Sequence, residues 1–375
     1  MNIGNGELKS VEHWCKQEFS TIDLSDTRLN LRFMETAVAL AKNVGEPINQ
    51  ACGDWASAKA TYRLFDNPKL MPNNILGAHQ VQLKERIKEH KLIFAIQDTT
   101  YINFTSHPKT EGLGRIGSSK SDRQQGLVMH TTLGVSESGL ALGILAQDIW
   151  VRPPTNTGKR KLKEKLPIEK KESFKWLQSL LDMKVGTGDP KVKVVMICDR
   201  EADIYEFISL ATSKGISFLI RAQNDRILGK NRNSNIPTLC LWEHMENQPI
   251  LGNIELEVSD KNDPNKNRTA VLEIRASPIT IQSPGRPPAT KSLYRTTLSE
   301  DCHAVWVREI GCLEGQEPVE WMLLSSVPVT TLEEAIEKIY WYKMRWHIEC
   351  FFRVLKSGCR IEACRLESAD RLKNS

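Results

Sequence analysis

Two aspartates in this 375-residue sequence stand where an apolar, strand-like run stops. Asp98 follows the run in "LIFAIQDTT", and Asp199 follows the one in "VVMICDREAD". A side chain at a strand end is held by a fixed backbone and still meets solvent, so function concentrates there in α/β sheets. Either aspartate alone reads as a turn or N-cap residue. A third carboxylate changes the proposition. Glu349 lies in "YWYKMRWHIECFFRVLKSGCR" (340–360), which has no Gly or Pro before position 358 and reads as a helix. At about 100° per residue, Tyr342, Arg345, Glu349, Arg353 and Lys356 share a strip about 80° wide. Met344, Ile348, Phe351, Phe352, Val354 and Leu355 take the other side and suit the core. Carboxylates supplied from separate elements are what a pair of hard divalent cations needs, and the flanking cations suit a polyanion. A solvent face with a Glu349–Arg353 pair accounts for the charges but not for Tyr342 on the same strip. On spacing alone the two readings stand even.

Residues 1–70 are helical. In "DLSDTRLNLRFMETAVALAKNVG", Asp26 is an N-cap ahead of Leu29, Phe33, Ala37, Leu40 and Ala41 at helical spacing. In "GDWASAKATYRLFDNP", Asp54 caps a helix with Trp55, Ala58, Tyr62 and Phe65 on one face. Arg28, Arg32, Lys59 and Arg63 lie away from those stripes, as a solvated face by default or as a phosphate-contacting one. A third helix spans Asn74 to about Glu89. Strands follow at 92–97, 127–135 and 139–147, then a lysine-rich helical stretch (161–184), a strand at 191–198, a helix from "READIYEFISLA" and a strand at "ISFLIRA". This is an α/β order with meander pairs first and parallel crossovers later. Residues 222–326 are β- and turn-rich and read as an inserted sheet rather than a continuation of the core. A long helix runs from about Thr331.

Composition excludes several classes. The formal net charge of +5 permits a nucleic-acid partner without requiring one. No apolar run approaches the ~20 residues of a membrane span. The N-terminus lacks the apolar core of a secretory signal, and nine scattered cysteines without a CxxC pair point to a reduced, cytoplasmic compartment. "GLGRIGS" (Gly112, Gly114, Gly117) has the GxGxxG form but neither follows a strand nor opens a helix, so it reads as a strand-joining loop. His347, Cys350, Cys359 and Cys364 lack paired zinc-ligand spacing and read as buried thiols with a histidine nearby. The basic run at 153–171 reads as a solvated loop and helix face.

The spacing Tyr342-x-x-Arg345-x-x-x-Glu349-x-x-x-x-x-x-Lys356 resembles the Y-R-E-K signature of bacterial DDE transposases of the insertion-sequence-four family. "QDTTYINF" and "CDREADIYEF" resemble that group's two aspartate motifs, and "DLSDTRLNLRF" and "ATYRLFDNP" its DNA-binding segment. The similarity runs from about Trp14 to Leu366. It implies a small all-α N-terminal DNA-binding domain (1–70) and an RNase H-like core (71–221). It further implies a β-rich insertion and return strand (222–326), a catalytic helix completing the core (327–366) and the start of a C-terminal dimerisation domain (367–375). By the same resemblance, Asp98, Asp199 and Glu349 hold two Mg²⁺ ions, with Mn²⁺ as a substitute. Tyr342, Arg345 and Lys356 grip phosphates near the transposon end, Trp321 stacks a flipped base, and Arg221 contacts the DNA end. The partners implied are double-stranded DNA, as end repeats and as target, and a second copy of the full-length protein. A chain that stops at "LESADRLKNS", with Ser368 as an N-cap, leaves two expectations beside the active enzyme. One is a truncated end-binding regulator that does not cut; the other is an RNase H-like nuclease of different biology.

Overall fold

The computed structural model describes residues 5–117, 122–153, 166–183, 191–229, 239–259, 267–285, 292–295, 297–312 and 317–375. It begins with helices α1 (Asn5–Glu18), α2 (Thr27–Lys42), α3 (Ile48–Ala51), α4 (Trp55–Phe65) and α5 (Pro72–Ile87). The expected caps form: the Asp26 carboxylate accepts from the Arg28 N–H (2.9 Å) and that of Asp54 from the Ser57 N–H (2.9 Å), satisfying donors that a helix start leaves unpaired. Phe33, Ala58 and Phe65 are buried as their spacing predicts, but Trp55 is 73% exposed. At the first position of its helix, Trp55 lies beyond the reach of the face that Ala58 and Phe65 bury.

The chain then lays down β1 (Leu92–Asn103), β2 (Gly114–Arg115), β3 (Gln125–Ser136), β4 (Ala141–Trp150), β5 (Lys193–Cys198) and β6 (Ser217–Arg221). β3 lies antiparallel between β1 and β4, whereas β1, β5 and β6 run parallel. Meander first and parallel crossovers after is the mixed α/β, RNase H-like order that the sequence predicts. Gly114 and Arg115 of the glycine-rich loop form a short edge strand on β3.

The β-rich segment corrects the reading of a separate sheet. Its strands β7 (Gly252–Ser259), β8 (Asn267–Gln282), β9 (Ser299–Ile310) and β10 (Glu320–Ser325) extend the same sheet. β10 pairs antiparallel with β6, giving the order β2-β3-β1-β5-β6-β10-β9-β8-β7. The lysine-rich stretch differs too. Its residues 161–165 and Lys184 lie outside the described part, and the remainder is two 3₁₀ turns, Ile168–Lys170 and Glu172–Phe174, before a helix, Lys175–Asp182.

A core lies on each face of the sheet. Along β1, Phe94 and Ile96 belong to one, Ile93 and Ala95 to the other, as strand alternation requires. The first core also takes in α2 and α4, so the N-terminal helices share apolar packing with the face that carries Asp98. The expected long C-terminal helix packs on this face, with Trp341 against Phe94 at 5.6 Å between ring centroids. It is not continuous. Helix Leu332–Lys343 ends, Met344 and Arg345 make a tightened turn, and helix Trp346–Arg353 resumes. In the turn, Arg345 N–H bonds the Tyr342 carbonyl and Ile348 N–H the Arg345 carbonyl, three residues back instead of four. Val354–Gly358 then widens into a π turn. Val354, at the head of that turn, is 58% exposed although its helical spacing assigned it to the core; the tightened turn at 344–345 shifts the phase of the helix that carries it. Ser368 caps a last helix, Ala369–Asn374, whose Leu372 is buried and whose Arg371 pairs with Asp66 after α4.

Candidate active site

The parallel register of β1 and β5 runs from Leu92↔Lys193 to Ile96↔Ile197. Two residues further along each chain stand Asp98 and Asp199, side by side on the face where the C-terminal helices pack. Local hydrogen bonds fix both carboxylates. Asp98 Oδ1 accepts from the Thr99 N–H (2.7 Å), and Asp199 Oδ1 accepts from the Glu201 N–H (2.8 Å) as the cap of the 3₁₀ turn Arg200–Ala202.

The third carboxylate arrives through a cation. Arg345 Nη1 donates to Asp98 Oδ2 (3.0 Å), and Nη2 donates to Glu349 Oε1 one helical turn on. The tightened turn at 344–345 points this guanidinium into the cleft, where its side chain keeps 20% of its surface. Glu349 is thus linked to Asp98 through Arg345 rather than touching it. Among the described residues no three acidic, histidine or cysteine side chains stand close enough to hold a metal ion.

The electrostatics match a crowded, half-dry acidic site. Burial, and then the Asp199 charge, push Asp98 up to about 6, against the Thr99 N–H and Arg345, which favour its ionised form. Burial also raises Asp199. Two carboxylates in one low-dielectric cleft are costly when both are ionised; Arg345, the backbone donors and, for Asp199, Lys175 offset part of that cost. Hard oxygen donors under mutual repulsion are the chemistry a divalent cation relieves, so the donor set fits such an ion once Arg345 gives way.

Tyr342 leaves the polar strip that its spacing predicts. It is buried, lies edge-on to Trp321 at 5.3 Å and shares a hydrogen bond with Arg221. Burial raises its hydroxyl's pKa and lowers that of Arg221, with Arg200 and Arg345 adding repulsion. Arg221 also donates to the Glu320 carbonyl (2.7 Å). Tyr342, Arg221, Trp321 and Arg345 therefore gather beside the aspartates. Lys356 and Arg353 do not join them. Lys356, in the π turn, faces Glu362 (3.9 Å) in an open cavity of about 500 Å³ lined also by His107, Arg360 and Arg365. Arg353 is exposed and donates to Cys350 Sγ (3.7 Å).

The four N-terminal cations all reach solvent. Arg28 lies 3.5 Å from Asp26 and Arg32 pairs with Glu35 (2.9 Å), while Lys59 and Arg63 are exposed on α4 near Trp55. The expectation that these thiols are buried does not hold: Cys359 is exposed, and Cys350 and Cys364 are half-buried. Sequence reasoning missed Lys175, Glu201, Thr99 and His130, all within one or two bonds of the aspartates. Only Glu201, two residues after Asp199, carried a local signal.

Two family models match this chain. The model of a transposase DNA-binding domain matches residues 11–70, and that of a transposase DDE domain matches residues 157–374. The first covers Arg28, Arg32, Lys59 and Arg63. The second spans more than half of the chain and includes Asp199 and Glu349, but it begins after Asp98. The case for Asp98 therefore rests on its place beside Asp199.

Proposed function

This chain belongs to the DDE transposase family, and we propose that it is a cut-and-paste enzyme of the insertion-sequence-four group, similar to the transposon-five transposase. In this reading Tyr342, Arg345, Glu349 and Lys356 are its Y-R-E-K signature. The observation that carries it is the pairing of Asp98 with Asp199 at adjoining strand ends, facing a helix that supplies Glu349. Asp98, Asp199 and Glu349 are the residues that would hold two Mg²⁺ ions, or Mn²⁺ in their stead. Bound there, the ions would supply a deprotonated water or 3′-OH and stabilise the leaving oxygen of an in-line phosphoryl transfer.

The chain's own side chains do the rest. Arg345 exchanges its carboxylate partners for a DNA phosphate, a swap between two oxyanions that its forked guanidinium serves equally well. Tyr342 and Arg221 brace one another under the same strand. Trp321, half-buried against Tyr342, offers an indole face on which a base extruded during hairpin formation stacks. Lys356 and the cations around its cavity follow the backbone of the end repeat. The N-terminal domain brings Arg28, Arg32, Lys59 and Arg63 to DNA, with exposed Trp55 among them. A second copy of the protein and target DNA complete the reaction. No described helix is long and apolar enough to cross a membrane.

The test is a cleavage assay on DNA carrying the flanking terminal repeat, with Mg²⁺. The enzyme is expected to nick and then form hairpins, and Asp199→Ala to bind the same DNA without cutting. Full cleavage by Asp199→Ala refutes the assignment. Binding without any cutting by the unaltered chain supports the end-binding regulator instead.

A further inference from the structure

Asp98 and Thr99 are consecutive on β1, so their side chains leave opposite faces of the sheet. The Thr99 side faces the second core, where β3 places His130 directly across (Thr99↔His130). His130 Nδ1 and Thr99 Oγ1 share a hydrogen bond of 2.9 Å. The imidazole is 1% exposed and meets the Trp176 ring edge-on at 4.7 Å between centroids. Its other nitrogen, Nε2, is buried without a partner. Burial, and then the charge of Lys175, push its pKa down to about 3.

A phenyl ring would fill this space without leaving a polar nitrogen unpaired, which costs about 1–3 kcal/mol. What imidazole adds over a phenyl here is its bond to Thr99. Thr99 in turn donates its backbone N–H to Asp98 Oδ1. The same back-face helix, Lys175–Asp182, also reaches the second aspartate: Lys175 pairs with Glu201 Oε2 (3.2 Å), and Glu201 N–H holds Asp199 Oδ1.

We infer that His130 is a positioning residue for the acidic site: from the opposite face of the sheet it fixes Thr99, and through Thr99 the rotamer of Asp98. The helix Lys175–Asp182 is the common back plate, touching His130 through Trp176 and Asp199 through Lys175 and Glu201. The inference rests on the metal-dependent reading above, and its test separates the two. Partners behind a metal ligand set its orientation, and removing one commonly weakens metal affinity about 10- to 100-fold.

The full chain is titrated with Mn²⁺, reading free ion by electron paramagnetic resonance, alongside His130→Phe, His130→Asn, Thr99→Val and the Thr99→Val/His130→Phe double variant. His130→Phe and Thr99→Val are each expected to weaken Mn²⁺ binding about tenfold. The double variant is expected to be no weaker than either, because both changes remove one bond. Asn places an amide where Nδ1 stands and restores affinity to within about twofold. End-DNA binding without divalent ions stays unchanged throughout. Native melting with unaltered Mn²⁺ affinity in His130→Phe overturns the inference, as does a double variant whose losses multiply. Should His130→Phe fail to fold, Thr99→Val, which keeps the β-branched shape, decides the matter by the same criterion. Unaltered chain that binds no Mn²⁺ overturns the metal reading and this inference with it; normal binding in the unaltered chain and all variants overturns this inference alone.

Discussion

Asp98→Asn is predicted to stabilise the metal-free protein at neutral pH. In the folded chain the Asp98 carboxyl is lifted from its ordinary 3.8 to about 6, first by burial and then by Asp199. At 1.36 kcal/mol per pKa unit, that disfavours the ionised folded form by about 3 kcal/mol. The sign follows from proton counting. Between pH 3.8 and about 6 the folded chain keeps a proton that the unfolded chain has released. Stability therefore falls as pH rises through that window, and the whole cost is present above it. An amide cannot ionise, so the variant escapes the cost. Chemical unfolding of both proteins without divalent ions should show near-equal stability at pH 4 and a gain of up to about 3 kcal/mol for Asp98→Asn at pH 7.5. Mg²⁺ should then stabilise the unaltered protein more than the variant and narrow the gap. A variant less stable at pH 7.5, or a difference that ignores pH, refutes the electrostatic reasoning.

Other consequences follow from the same geometry. Lys356→Ala should weaken end-DNA binding and flatten the plot of log affinity against log salt by about one unit of slope, the loss of one phosphate contact; an unchanged slope removes Lys356 from the DNA path. Trp321→Ala should still nick but form hairpins about tenfold or more slowly, the value of one stacked base; equal loss of both steps makes Trp321 a core residue only. At the C-terminal helix, Leu372→Ala should cost about 2–4 kcal/mol of stability and Arg371→Ala under about 1 kcal/mol. Leu372 is buried in the first core, whereas Arg371's partner Asp66 is 45% exposed, and thermal melts giving the reverse order would contradict that packing.

Much of this arrangement was legible in the sequence because it rests on short-range rules. Strand-end positions announced Asp98 and Asp199, and Asp26, Asp54 and Ser368 announced their helix starts. The failures are equally physical. No Gly or Pro marks the tightened turn at Arg345, and Gly358 comes only at the end of the π turn, so a regular wheel put Tyr342 on a wet strip and Val354 in the core. Turn-rich composition marked the segment 222–326 as β, but which edge it joins is a long-range pairing that alternation cannot report. His130 was invisible for a related reason: its meaning lies in a cross-strand neighbour 31 positions away. The sequence reading expects three carboxylates together; the structure sets Asp98 beside Asp199 but holds Glu349 off behind the Arg345 guanidinium, and a lone arginine four residues before a glutamate reads as an ordinary helix pair.

Asp98, Asp199 and Glu349 are proposed to close around divalent cations once Arg345 lets go. Crystals of the protein bound to end-repeat DNA and soaked in Mn²⁺ test it most directly through anomalous difference maps. Manganese peaks contacted by all three carboxylates are expected, with Arg345 moved from Asp98 to a DNA phosphate. Arg345 still bridging Asp98 and Glu349, with no manganese beside Asp199, would contradict it.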